Sequence, residues 1–170
     1  MVDIVITGII TWCHVVSVVG WFGAALTFLV SIRPSLGKLS AQAGGEFMVK
    51  VLPGFVRSVQ IFSVLTVVFG PLLAFTMSDG PPNVFDLVSP WSRFVTAGAS
   101  LGIITLAVVF FLLTPTAKGL VRIISQMQMS PQQPPPAELK VLQKRMGWIP
   151  PLGVSLLLLA EACMVAAAQF

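Results

Sequence analysis

Four long runs of the sequence carry almost no charge, and they restrict this chain to a helical fold inside a membrane. The runs cover residues 4–32, 55–77, 94–114 and 148–170. Each has at least the roughly 20 apolar residues that an α-helix needs to cross a hydrocarbon core about 30 Å thick. Only 9% of the 170 residues are charged and the mean hydropathy is +0.94, so a soluble fold has too little interior for this apolar surface. We therefore predict an all-α integral membrane protein with one domain over residues 1–170.

The basic residues are unevenly distributed between the connections, and this distribution predicts the orientation of the chain. Those in or beside the first and third connections are Arg33, Lys38, Lys50, Arg57, Lys118, Arg122, Lys140, Lys144 and Arg145. The middle connection contains Asp79, Asp86 and the remaining basic residue, Arg93. Basic residues stay on the cytoplasmic side during insertion. We expect a multi-pass, up-down four-helix bundle in the plasma membrane, with both termini and the middle connection outside.

The charge also predicts the partners of the connections. The net charge of +4 and the isoelectric point near 9.6 follow from the same two basic loops. Anionic lipid headgroups are the partners that we expect for these loops, and nucleic acid binding is not needed to explain them. Because the four runs must also pack in lipid, we expect contacts with other membrane subunits or a homo-oligomer.

Two features that often indicate secretion do not do so here. The first run follows Met1-Val2-Asp3, which lacks the positive n-region of a signal peptide, and the run is too long for one. We expect it to be a retained helix. Cys13 and Cys163 both lie within predicted spans, so a disulfide framework is not indicated.

Prolines and glycines predict the shape of the spans. Pro71 is expected to bend the second span, and Gly98 and Gly102 form a GxxxG that favours close helix packing in the third. We expect the third span to continue to Met129 and to be broken by residues 131–136. A short amphipathic helix over 137–145 then precedes the fourth span, with Pro150 and Pro151 in the first turn of that span.

Few polar groups lie inside the spans, and two of them are expected to meet. His14, the single histidine, lies in the first span, and Glu161 lies in the fourth. Counted from the ends of their helices, both lie roughly 15 Å from the outer surface. Each is costly in hydrocarbon without a partner. We expect them to face each other in the outer half. They either hydrogen-bond to each other or to neighbouring hydroxyls such as Ser17, which would hold the two helices in register, or they form part of a site.

A metal site is the functional alternative to a structural pair. Cys163 and Met164 lie near Glu161, and thiol, thioether and imidazole ligands together suit copper(I). The candidate metal ligands are therefore His14, Glu161, Cys163 and Met164. Cys13 adjoins His14 but points about 100° away from it on a helix, so the two side chains do not face one small site.

Other chemistry has less support in the residues. A single histidine excludes a bis-histidine haem within one chain, although a His–Met haem or one shared in a dimer stays open. We find no phosphate-binding loop, paired acids or Ser-His-Asp set, so catalytic residues are not assigned. Arg57, one turn from Gln60, is expected to reach lipid phosphates, and a substrate-carboxylate contact shared with Arg33 is the alternative.

The first span resembles a known family. His14, the element Trp21-Phe22-Gly23, and Arg33-Pro34 at the end of the span resemble the opening helix of copper-resistance D (CopD-like) membrane domains. The similarity covers most of the chain and is most specific over residues 14–34. The first helix is also similar, less closely, to that of four-helix membrane protoporphyrinogen oxidases, which look to need a further histidine for haem.

The resemblance implies a membrane bundle associated with copper uptake or copper-enzyme assembly, in which His14 and Trp21 carry over by position. CopD-like proteins are often larger, with more spans and ligands. We therefore expect a copper-handling protein or a non-catalytic accessory subunit of a copper-dependent membrane oxidoreductase complex. A haem-binding membrane oxidoreductase and a purely structural subunit without a metal are the alternatives.

Overall fold

The protein consists of helices throughout the part of the chain that the structure describes. The structure is a computed structural model that describes residues 4–77, 87–130 and 134–170. The α-helices are α1 (Ile4–Thr27), α2 (Arg33–Leu36), α3 (Ala41–Lys50), α4 (Leu52–Met77), α5 (Pro90–Ala107), α6 (Thr114–Met129) and α7 (Ala137–Ala167). Asp79, Asp86 and Pro131, on which part of the predicted layout depends, lie outside the described residues.

Two π-helical segments join consecutive α-helices into longer ones. Phe28–Ile32 connects α1 to α2, and Val108–Leu113 connects α5 to α6. Each segment lies just before a proline, Pro34 in one case and Pro115 in the other. The residue before the proline donates its N–H to a carbonyl five residues back, which widens the turn where the proline ring would clash with the backbone. Both helices therefore continue past their prolines.

Four helices are long and apolar enough to cross a membrane, as the hydropathy predicted. They are Ile4–Leu36, Leu52–Thr76, Pro90–Met129 and Ala137–Ala167. Large apolar side chains cover their outer surfaces, and Phe111, for example, is 77% exposed. Lipid is the solvent that accommodates such surfaces. The continuation of the third span to Met129 is confirmed.

The start of the fourth span differs from the prediction. Residues 137–145 do not form a separate short helix, because α7 runs without interruption from Ala137 to Ala167. Pro150 and Pro151 lie inside this helix and not in its first turn. The buried residues Leu139, Leu142 and Met146 hold the early part of α7 against other helices, so packing maintains a helix that the two prolines would otherwise break.

The first and second long helices pack against each other in antiparallel directions. His14 lies beside Gly70, Gly20 beside Phe62, and Phe28 beside Phe55, so residue numbers fall on α4 as they rise on α1. Gly20 is necessary for this approach, because a Cβ there would lie 2.7 Å from the Phe62 ring. Small residues thus bring the backbones together, as expected in lipid.

The third and fourth long helices form a second antiparallel pair. Gly98 contacts Met164 near the C-terminus of α7, and Gly119 faces Leu142 near its beginning. Trp21 is buried between the two pairs with Val59, Val109 and Leu157. The four long helices therefore share an apolar centre.

The basic connections contribute a folded core of their own. The first connection contains α3, which begins at the cap formed by Ser40. A large apolar cluster joins the start of α4, the whole of α6 and the start of α7. Its buried members are Phe28, Leu52, Val56, Ala117, Leu120, Ile123, Leu139, Leu142 and Met146.

Candidate functional site at His14

His14 packs directly onto the backbone of the second long helix. A Cβ built on Gly70 would lie 3.1 Å from the His14 ring carbon Cε1 and 3.6 Å from Nδ1. The imidazole also lies within hydrogen-bonding reach of the backbone carbonyl of Thr66, one turn before Gly70. Glycine at position 70 is therefore what allows the ring to lie flush against α4.

Two buried side-chain polar atoms at this contact make no hydrogen bond of good geometry, although the Thr66 carbonyl lies near the imidazole. They are Nδ1 of His14 and Oγ1 of Thr66. Several other hydroxyls in the spans bond to a carbonyl of their own helix; for example, Ser17 donates to the Cys13 carbonyl at 2.7 Å. A buried polar atom without a partner costs on the order of 1–3 kcal/mol. The His14 site, defined by His14, Thr66 and Gly70, is thus suited to a further polar or metal ligand.

Within the described residues, the predicted partners Ser17 and Glu161 do not form a hydrogen bond with His14. Ser17 is engaged with its own helix. Within the described residues, neither a hydrogen bond nor an ion pair joins His14 to Glu161. Glu161 is half-buried and follows the buried residues Val154 and Leu157 on one face of α7. The carboxylate therefore belongs to the packed side of α7, and its pairing with His14 stays a prediction.

Cys163 and Met164 belong to the other helix pair. A Cβ on Gly98 would lie 2.8 Å from Met164 Cε and 3.3 Å from Cys163 Cβ. These two side chains therefore pack on α5, whereas His14 packs on α4. In the described parts of the chain, no group of three or more His, Cys, Asp or Glu side chains is arranged to hold a metal ion.

Trp21, the other residue carried over from the resemblance, is a core residue. It is 1% exposed and borders a partly open cavity of about 40 Å³ between the four long helices. The lining of this cavity is almost entirely apolar. We assign packing to Trp21 and no ligand to the cavity.

The two arginines singled out in the sequence lie at the basic end. Arg57 is exposed on the second turn of α4, which suits contact with lipid phosphates. Arg33 is also exposed, and its Nη2 would lie 3.8 Å from a Cβ on Gly147 of α7. Arg33 thus reaches the fourth long helix at the end opposite to the His14 site.

Sequence reasoning missed Thr66 and the bond between Gln60 and Thr114. Gln60 Nε2 donates to Thr114 Oγ1 at 2.8 Å, linking α4 to the start of α6. Thr114 Oγ1 itself donates to the Val109 carbonyl at 2.8 Å, inside the π-helical segment. A threonine in an apolar run usually bonds to its own helix, so no local signal distinguishes Thr66 or Thr114. The pairing of α4 with its neighbours had to be known first.

Comparison with known proteins gives no relative from which a role can be transferred. No family model, curated protein or solved structure matches this chain.

Proposed function

We propose that this protein is a small multi-pass membrane protein that handles copper, with His14 as a ligand. The observation that supports this proposal is the buried Nδ1 atom of His14, which makes no hydrogen bond of good geometry. An imidazole nitrogen with a free lone pair is a good copper ligand. A metal at this position would also offset the cost of leaving a polar atom buried and unsatisfied. The resemblance of residues 14–34 to CopD-like domains points the same way.

The residues present fit copper in part. His14 supplies an imidazole, while Cys163 and Met164 supply the soft sulfur ligands that copper(I) prefers. Because those sulfur side chains pack on Gly98 of α5, copper bound at His14 needs a shift of α7 or a ligand from a partner subunit. A ligand from a partner would connect the copper role with that of a non-catalytic accessory subunit in a membrane oxidoreductase complex. Glu161, on the packed side of α7, is the remaining candidate ligand.

We also propose that the four long helices form an up-down bundle in the plasma membrane with both termini outside. The antiparallel packing of α1 on α4 and of α5 on α7 supports the alternation of directions. The predominance of basic residues at one end supports the cytoplasmic assignment of that end. In this orientation the His14 site lies in the outer half of the membrane.

A purely structural role is the second candidate, and one observation favours it. The His14 ring fits so closely on Gly70 that it fills the space between two helix backbones. Under this alternative, the imidazole is a packing element and no metal is bound. A haem-binding oxidoreductase is the third candidate, and it would require a second axial ligand from Met164 or from another chain.

Elemental analysis of the purified full-length protein tests the copper proposal. We expect copper to co-purify with the wild type and to be lost in His14→Ala. The control is Cys13→Ala, which removes a potential ligand at the adjacent position but on a different face of α1 and should retain copper. A wild type free of copper after loading with copper(I) would contradict the proposal. A Soret band would indicate haem instead, and co-purifying larger subunits without any metal would favour the structural role.

A further inference from the structure

A groove runs between the start of α4 and the start of α6, at the basic end of the molecule. Its volume is about 310 Å³, at the lower end of the range typical of ligand pockets. The walls are largely apolar, with Pro53 and Val56 contributed by α4 and Ala117 and Val121 by α6. The groove is distinct from the His14 site, which lies toward the other end of α4.

Polar and basic side chains are arranged along the groove in a consistent order. Gln60 and Thr114, joined by their hydrogen bond, line the part nearest the predicted hydrocarbon core. Lys118 and Arg122 follow on successive turns of α6, so the cationic part extends about 12 Å beyond Thr114 along the helix. The groove thus changes from amide and hydroxyl to cationic side chains as it leaves the membrane.

The two basic side chains are available to an anion. Within the described residues, Lys118 has neither an ion pair nor a side-chain hydrogen bond. Arg122 pairs with Glu138 at 3.1 Å, but both side chains are more than half exposed. Exposed ion pairs contribute little to stability, so Arg122 can exchange this partner for another at small cost. None of the described residues that line the groove is acidic.

We propose that this groove binds the headgroup of one anionic glycerophospholipid. The lipid phosphate would be held by Lys118 and Arg122, since paired cations on successive turns complement its charge. The glycerol region would lie between the apolar walls with Gln60 and Thr114 offering hydrogen bonds at the inner end, and the acyl chains would continue past these two residues into the bilayer. These apolar walls favour a lipid over free phosphate, because a soluble anion has no apolar surface to bury against them.

Native mass spectrometry of the full chain in detergent tests this proposal. Phosphatidylglycerol and phosphatidylcholine are added at equal concentration, and the lipids that remain bound are counted. We expect the wild type to retain one phosphatidylglycerol. A direct hydrogen bond from a basic side chain to the phosphate is worth about tenfold or more in affinity, so the double variant Lys118→Gln, Arg122→Gln should lose roughly 100-fold.

Matched variants separate this site from general electrostatic attraction. Lys140→Gln with Lys144→Gln removes two exposed cations that are also one turn apart, on α7, and should leave retention unchanged. Val121→Trp fills the groove without changing the charge and should abolish retention. Glu138→Gln frees Arg122 and should leave retention equal or stronger. Circular dichroism of each variant verifies that the helices are retained.

Three results would overturn the proposal. The first is an equal loss in the Lys140 and Lys144 variant, which would indicate attraction by net charge alone. The second is equal retention of phosphatidylcholine by the wild type. The third is displacement of the lipid by soluble glycerophosphate at the same concentration, which would identify a phosphate site that does not use the apolar walls.

Discussion

His14 and Gly70 are in direct contact across the interface between the first and second long helices. A methyl group on Gly70 would come within 3.1 Å of the His14 ring carbon Cε1. The histidine is thus part of the packing between two antiparallel helices, whatever it binds. A change at either position should therefore alter the other.

The first prediction uses this contact. Gly70→Ala should lower the free energy of unfolding by about 1 kcal/mol or more, because the imidazole must move to accept the methyl group. Gly54→Ala in the same helix, where a Cβ would meet nothing within 4 Å, should be neutral or stabilising. The measurement is thermal unfolding in detergent. In a His14→Ala background the cost of Gly70→Ala should fall, and equal costs in both backgrounds would show that the two residues are not coupled.

The second prediction concerns the GxxxG of the third long helix. Gly98→Ala should destabilise the protein by about 1–3 kcal/mol. Its Cβ would lie 3.2 Å from the Ala160 carbonyl oxygen, a backbone atom that cannot rotate away. Gly102→Ala should be tolerated, since no atom lies within 4 Å of its Cβ position. Denaturation in SDS measures both variants. Equal destabilisation by the two changes would mean that this motif packs against another chain as well.

The third prediction separates the two hydrogen bonds at Thr114. Gln60→Leu removes only the bond to Gln60 and should cost about 0.6 kcal/mol, the typical value for a bond between helices in lipid. Thr114→Val removes that bond and the one to the Val109 carbonyl, and it leaves the Gln60 amide without this partner. It should therefore cost more. Unfolding of both single variants and the double variant gives the coupling energy, and a larger cost for Gln60→Leu would contradict the assignment.

The fourth prediction tests the orientation of the chain. In a background without Cys13 and Cys163, a maleimide that cannot cross membranes should label Val88→Cys in intact cells. Ser130→Cys should be labelled only after permeabilisation, because it lies beside the basic connection. Both positions are exposed, so access within the protein does not limit the reaction. Labelling of Ser130→Cys in intact cells would reverse the proposed topology.

Part of the candidate site could be predicted from the sequence, and part of it could not. His14 stands out because an imidazole in an apolar run is costly and rare. Gly70 precedes Pro71, where a bend was predicted, but nothing in the sequence marked Gly70 or Thr66 as a neighbour of His14. Cys163 and Met164 were grouped with His14 because they lie near Glu161, which was placed at the depth of His14, and because their sulfur atoms suit copper(I). Depth follows from counting residues, whereas the partner of a side chain depends on how each helix is rotated about its axis.

The backbone of the fourth long helix was also predicted only in part from the sequence. Pro150 and Pro151 are local signals for a helix start, and the early part of α7 was therefore predicted as a separate element. In the structure, Leu139, Leu142 and Met146 pack on α6 and α4, and this burial sustains one helix through both prolines. Tertiary contacts outweighed the local preference because several buried apolar side chains contribute more than one or two missing backbone bonds.

The sequence alone determined the four membrane-length helices and the concentration of basic residues at one end. Both depend on the transfer of individual residues between water and lipid, which needs no knowledge of neighbours. The tertiary structure decided that His14 meets Gly70 and Thr66, and that Lys118 and Arg122 line a groove with Gln60. A helix that is apolar on every side carries little periodic signal to separate its lipid face from its protein face. Those contacts are set by the fit of small residues such as Gly20, Gly70 and Gly98 against larger side chains on the facing helix.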